Sequence, residues 1–196
     1  MYTIKHYTDK IFYIEDCLSC PDKYIELLND IDKNNKSYKY IEPWENWHAS
    51  DNKKSIYGQK KKMYLNFKSD EDSYVDKKVR YLINSIKESF MLSSTMYLKY
   101  HNIEQIKINT KQCYINKYFP GQYMGPHADS YGNKYDKKYT MLIYLNSNYD
   151  GGEIIFNNKN IKFKPKAGSM LIFPAEEIHS TNIVENGNKY FILLQF

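Results

Sequence analysis

From about residue 106 to its end the chain breaks into eight short apolar or alternating runs: 112–118, 122–128, 139–145, 153–156, 161–164, 169–173, 178–184 and 189–196. Pro120-Gly121, Asn148 to Gly152, Asn157-Asn158, Pro165 to Gly168 and Asn186-Gly187 punctuate them. These are the residue types that reverse a chain, so each run reads as a strand that turns back on its neighbour. So many short antiparallel strands fit a double-sheet jelly roll. The expected fold class is therefore α+β but mainly β.

The first hundred residues supply the helices that buttress one sheet. A short strand is expected at 11–14. Ser19-x-Pro21-Asp22 is a helix start, and Tyr24, Leu27, Leu28 and Ile31 follow it at helical spacing. Asp72 to about Tyr100 reads as the main helix, with Val79, Leu82, Ile83, Ile86, Phe90 and Met91 forming one buried face. Between these helices, residues 33–62 lack periodicity and read as a long loop carrying both tryptophans, Trp44 and Trp47. Such a loop tucks two rings onto the core or acts as a substrate lid. No repeat, linker or composition shift marks a boundary, and 196 residues suit one core. The expectation is a single domain over 1–196, with 1–105 as support and 106–196 as the jelly-roll core.

Charge excludes less than its total suggests. The formal net charge is +5, yet Arg80 is the sole arginine among 28 basic residues, so the planar fork that grips guanine and phosphate is nearly absent. The lysines, with 21 tyrosines, carry the imprint of an AT-rich coding sequence, as in a microbe or virus with such a genome. Nucleic acid is a poor partner on this count. The lysine run at 60–62 reads as a solvated face. No apolar run is long enough for a membrane span and the N-terminal residues lack the plan of a secretory signal, so the expected location is cytoplasmic. Cys17, Cys20 and Cys113 are odd in number and read as reduced thiols, since nothing completes the zinc site that Cys17-Leu-Ser-Cys20 would begin.

The chemistry is carried by Pro126-His127-Ala128-Asp129-Ser130. On a strand, positions two apart project from one face, so an imidazole and a carboxylate can reach one point. His179 opens a later strand. Two imidazoles and one carboxylate that leave further positions open are the ligand set of non-haem Fe(II) oxygenases, which need those positions for a chelating cosubstrate and dioxygen. Ten positions past His179 lies Lys189, on a strand of alternating character. A lysine aimed into an apolar interior is costly unless an anion meets it, and a dicarboxylate would be such an anion.

Seven segments together resemble a known family: Tyr118-Phe-Pro-Gly121, His127-Ala-Asp129-Ser130, Thr140 to Asn146, Gly151-Gly152-Glu153-Ile-Ile-Phe156, Pro165 to Phe173, His179, and Gly187-Asn-Lys189-Tyr190. Their order is similar to that of the 2-oxoglutarate- and Fe(II)-dependent dioxygenases, in the prolyl 4-hydroxylase-like branch, over about residues 110–196. The resemblance implies a double-stranded β-helix, a variant of the jelly roll. It implies that His127, Asp129 and His179 hold the iron and that Lys189 pairs with the far carboxylate of 2-oxoglutarate. Tyr118 is implied as a cosubstrate contact, with Tyr144 and Thr140 as further members of that pocket. The glycines at 151, 152 and 168 read as turn residues. The implied cofactors are Fe(II), 2-oxoglutarate and O2, with ascorbate as reductant.

The implied reaction couples oxidative decarboxylation of 2-oxoglutarate to succinate with hydroxylation of a substrate C–H bond, for preference in a peptidyl-prolyl residue. Free amino acids or other small molecules are the alternative substrates, and a non-catalytic metal-binding jelly-roll module is the alternative role. The loop from Ser130 to Lys138 and the Trp44/Trp47 segment are the expected elements of the mouth. Two departures from relatives stand out. Gln195 occupies a place where several of them carry tryptophan, and the arginine pair of the nucleic-acid demethylases is missing after His179.

Overall fold

The computed structural model describes residues 3–8, 10–33, 45–48, 59–64, 77–104, 113–130 and 138–196. The first half contributes β1 (Thr3–His6), β2 (Phe12–Glu15), α1 (Pro21–Lys33), β3 (Glu45–His48), β4 (Gln59–Tyr64) and α2 (Lys77–Tyr100). The second contributes β5 (Cys113–Tyr118), β6 (Met124–His127), β7 (Tyr139–Tyr144), β8 (Asp150–Gly151), β9 (Ile154–Phe156) and β10 (Ile161–Phe163). It closes with β11 (Met170–Pro174), β12 (His179–Thr181), β13 (Val184–Asn186) and β14 (Lys189–Gln195).

Among the described residues, eight strands form one antiparallel sheet in the order β1-β2-β11-β7-β14-β5-β4-β3. Four more form a second sheet, β10-β9-β12-β6, and β13 pairs with β8. The alternation of side chains explains how these layers stack. In β11, Met170 and Ile172 join the helices in one apolar cluster, while Leu171 and Phe173 join the second sheet's Met124, Ile154 and Phe156 in another. Met141 and Ile143 against Leu142 and Tyr144 repeat the split in β7, as do Ile192 and Leu194 against Phe191 and Leu193 in β14. Strands buried on both faces lose the polar half of their alternation, which is why these segments read as nearly continuous apolar runs. The result is a jelly roll of the double-stranded β-helix kind, with helices on the outside of its larger sheet.

The helices pack as their sequences require. Pro21 sits first in α1, where its missing N–H costs nothing, and Tyr24 and Leu28 are buried below it. Along α2, Leu82, Ile83, Ile86, Phe90, Tyr97 and Leu98 face the sheet. Met91 does not: it is 53% exposed, because the buried stripe passes through Phe90, Ser93 and Ser94 on that turn. Gly168 ties the helical layer to the sheet. Its φ of +75° and the 2.7 Å that would separate a Cβ from the Leu18 carbonyl exclude other residues, and its own carbonyl accepts from Leu18 N–H.

Two other expectations are corrected. The stretch 33–62 is not loop throughout, since β3 and β4 form a hairpin that extends the large sheet beside β5. The lysine-rich β4 and the polar edge strand β3 are held by backbone pairing and carry no apolar alternation to detect. The chain also adds β1 at the opposite edge. The run 178–184 divides, with β12 in the second sheet and β13 on β8. Trp44, the Trp47 side chain, the Val79 side chain, residues 72–76 and loop positions 131–137 lie outside the described residues. Cys17, Cys20 and Cys113 are free thiols. No described helix is long and apolar enough to cross a membrane.

Candidate active site

Strands β6 and β12 lie side by side, with His127 directly opposite His179 and the ring centroids 4.3 Å apart. A register shift between His179 and Thr181 interrupts the pairing immediately beyond, a local kink of the kind that re-aims side chains. Asp129 arrives differently from the expectation of a shared strand face. The strand ends at His127, and Asp129 is fixed by the turn that follows, its N–H donating to the Ala175 carbonyl at 2.8 Å. Its two carboxylate oxygens then lie 3.7 Å from His127 Nε2 and 3.8 Å from His179 Nε2. The ligating atoms of all three residues fall within 4.8 Å of one another, the one such cluster among the described residues.

The imidazoles are oriented for coordination. His127 Nδ1 lies 2.8 Å from the Gly125 carbonyl and His179 Nδ1 lies 2.9 Å from the Glu177 carbonyl. A carbonyl only accepts, so each Nδ1 carries the hydrogen, which leaves Nε2, on the Asp129 side, as the ring atom that a neutral imidazole offers to a metal. Phe173 meets the His179 ring edge-on at 4.8 Å, which further restricts it. The side chain of His179 is 7% exposed and that of His127 25%, so the cluster opens to solvent on the His127 side. Two imidazole nitrogens and one carboxylate are a donor set suited to Fe(II), and these three residues supply it.

Thr140, expected as a member of the cosubstrate pocket, donates its hydroxyl to Asp129 Oδ2 at 2.6 Å. Such a bond from a neighbouring strand holds a metal-ligating carboxylate in one orientation.

Lys189 opens β14 opposite Tyr118 at the end of β5 and is 1% exposed. Its Nζ donates to the Gly152 carbonyl at 2.7 Å and lies 5.4, 5.5 and 5.9 Å from the ring centres of Tyr144, Phe191 and Tyr149. The Tyr144 and Tyr149 hydroxyls are buried with no hydrogen-bond partner. An ammonium with two unsatisfied O–H donors on the surrounding rings is a donor set that suits an anion. Burial holds the Tyr144 and Tyr149 phenols well above the usual tyrosine range, so both stay protonated as donors. Tyr118 is pushed up in the same way by burial and by the nearby Asp129, against a hydrogen bond with Thr181 that lowers it.

Two participants escaped the sequence. Gly152 supplies a carbonyl to Lys189 as well as a turn, and Tyr149 brings a second orphaned hydroxyl. One of 21 tyrosines, lying in turn punctuation, gave no signal.

Comparison with known proteins accords with this geometry. Residues 113–195 match the profile of the 2OG-Fe(II) oxygenase superfamily. A PKHD-type hydroxylase of Prochlorococcus marinus is 26% identical over 71% of this chain and 62% of its own length. A putative prolyl 4-hydroxylase of Acanthamoeba polyphaga mimivirus is 36% identical over 33% of this chain and 31% of its own. The chain thus spans less than two thirds of the length of these relatives. Among solved structures, a viral collagen prolyl hydroxylase of Paramecium bursaria Chlorella virus-1, in complex with 2OG, superposes with a TM-score of 0.63 at 18% identity, covering 95% of this chain and 94% of that one. A Trichoplax adhaerens prolyl hydroxylase, bound to a peptide fragment of the hypoxia inducible factor oxygen degradation domain, gives 0.69 at 17% identity over 96% and 83% of the two chains. At such identities these superpositions establish the shared fold.

Proposed function

From the premise that the segment 113–195 belongs to the 2OG-Fe(II) oxygenase superfamily, we propose that this protein is an Fe(II)- and 2-oxoglutarate-dependent dioxygenase that hydroxylates a peptidyl-prolyl residue. The observation that carries the reading is the convergence of His127, Asp129 and His179 within 4.8 Å, with each imidazole Nδ1 engaged by a backbone carbonyl and Nε2 left on the Asp129 side. When bound, Fe(II) with 2-oxoglutarate and O2 supplies the oxidising power that converts a substrate C–H to C–OH, with release of succinate and carbon dioxide.

The chain's own residues do the rest. His127, Asp129 and His179 hold the metal, and Thr140 fixes the Asp129 carboxylate by its 2.6 Å bond. Lys189, with the Tyr144 hydroxyl, would neutralise and orient the far carboxylate of the cosubstrate. The Tyr118 hydroxyl, near Asp129 and hydrogen-bonded with Thr181, is a further contact for the cosubstrate. Phe156 and Phe173 beside His179, and Phe191 beside Lys189, line the site with apolar surface. Ascorbate would be the external reductant for such an iron site. A prolyl peptide is the substrate class because the relatives include enzymes named prolyl hydroxylases and a fold neighbour was solved with a peptide bound.

The test is succinate formation from 2-oxoglutarate by the Fe(II)-loaded protein in air, with and without proline-rich peptides, beside a His127→Ala variant. The expected result is succinate that depends on iron and His127, rises with peptide, and accompanies a peptide mass gain of one oxygen at proline. Iron-independent succinate, or none under any condition, overturns the activity. Stimulation by free metabolites alone overturns the peptide substrate.

A further inference from the structure

Tyr149 stands five residues beyond β7, in the turn that leads to β8, and its ring is 2% exposed. The turn is built rigidly. Asn146 Nδ2 donates to Asn148 Oδ1 and to the Asn188 carbonyl, both at 2.7 Å, while Asn146 Oδ1 accepts from Tyr190 N–H. Lys164 Nζ donates to the Tyr149 carbonyl and lies 4.7 Å from the ring centre. Two glycines in the left-handed region make room for the residue. A Cβ on Gly152 would come 3.0 Å from Tyr149 Cε2, and one on Gly187 would come 3.3 Å from Tyr149 Cβ. Backbone and ring are therefore held in place, whereas the hydroxyl, also buried, has no partner. Leaving such a group unsatisfied is costly, so a ligand is its natural acceptor.

Lys189 indicates which ligand. Its Nζ lies 5.9 Å from the Tyr149 ring centre and 5.4 Å from that of Tyr144, and it bonds the carbonyl of Gly152, the glycine against which Tyr149 packs. A carboxylate has two oxygens and about four acceptor positions, enough for the ammonium and two phenol hydrogens together. Resting on the cosubstrate reading above, we propose that Tyr149 is a second cosubstrate contact, donating its hydroxyl to the same far carboxylate that Lys189 and Tyr144 hold. Three donors on one carboxylate make the pocket selective for a dicarboxylic 2-oxo acid over a monocarboxylic one.

The experiment is calorimetric binding of 2-oxoglutarate to the Mn(II)-loaded protein for wild type, Tyr149→Phe and Tyr144→Phe, with pyruvate as a probe lacking the far carboxylate. Thermal melts of the ligand-free proteins accompany it. Loss of a hydrogen bond to a charged group weakens binding about tenfold or more, so each variant should raise the 2-oxoglutarate Kd by that factor and leave pyruvate unchanged. The free Tyr149→Phe protein should melt no lower than wild type, since it loses a hydroxyl that had no partner. A purely structural tyrosine would give the reverse pattern, a lower melt with unchanged Kd. Wild type that binds 2-oxoglutarate while Tyr149→Phe binds it equally well removes Tyr149 alone from the site. Wild type that fails to bind overturns the cosubstrate reading and this contact with it.

Discussion

Replacing Lys189 by Met separates the two consequences of burying a cation. Lys189 is 1% exposed, among three aromatic rings, with its ammonium on the Gly152 carbonyl. In the ligand-free protein the substitution removes a desolvated charge, a gain of several kcal/mol, and leaves one carbonyl without a donor, a loss of about 1–3 kcal/mol. Methionine fills much of the same volume, so the free protein should melt at or above the wild-type temperature. Ligand binding should respond in the opposite sense. A carboxylate buried without its cation costs about 3–5 kcal/mol, which weakens binding by about two to three and a half orders of magnitude. The assay is a thermal melt with Mn(II), with and without 2-oxoglutarate at about 100 times the wild-type Kd, where the ligand stabilises wild type by about 2.7 kcal/mol. For 196 residues the unfolding entropy is about 0.4 kcal/mol per degree, so wild type should shift by about 6–7 °C. The variant, at or below its own Kd, should shift by about 1 °C or less. A variant that keeps the full shift, or whose ligand-free form melts far below wild type, would refute the assignment of Lys189 as an anion anchor.

Three further outcomes are expected. Thr140→Val removes the 2.6 Å bond to Asp129 and should weaken Mn(II) binding about 10–100-fold without altering the fold, as read by calorimetry and circular dichroism; unchanged affinity refutes the orienting role. Asn116, 1% exposed with both amide atoms unpartnered, should be replaceable by the similarly sized Leu with a gain of about 1 kcal/mol or more, seen as a higher urea midpoint at constant m-value; a lower midpoint would show that the amide is satisfied in solution. Burial pushes Cys17 up to about 11 and Tyr24 up to about 12, and raises Cys113, Tyr118, Tyr144 and Tyr149 in the same direction. Each group releases its proton more readily unfolded, from about pH 9 for the thiols and 10 for the phenols. Stability should therefore fall with rising pH above 9, by up to about 1.4 kcal/mol per pH unit for each group titrating. Urea melts between pH 8 and 11 measure this, and a flat profile contradicts the burial of these groups.

Much of the fold was legible because strand-forming runs and turn residues are local signals. Seven of the eight expected runs each correspond to a single strand of the second half, and the eighth divides into β12 and β13. What escaped detection was held by partners distant in sequence. The hairpin of β3 and β4 adheres through backbone hydrogen bonds to β5, which no side-chain pattern records. Met91 fits the same helical stripe as Phe90 on paper, and only the sheet beneath α2 decides which of the two is covered.

The site divides in the same way. Sequence alone determined which residues could bind a metal and an anion, because His127, Asp129, His179 and Lys189 carry that chemistry wherever they lie. Tertiary structure decided what each one faces. Pairing β6 with β12 set two imidazoles 52 residues apart in sequence into contact, and the Ala175 carbonyl, not a strand pleat, set the Asp129 carboxylate against both. It set the Thr140 hydroxyl on the Asp129 carboxylate and brought Tyr149 and Gly152 to Lys189. The physical reason is that side-chain chemistry belongs to a residue, whereas hydrogen-bond partners and burial belong to the packed chain, where distances of a few ångströms decide which donors meet which acceptors.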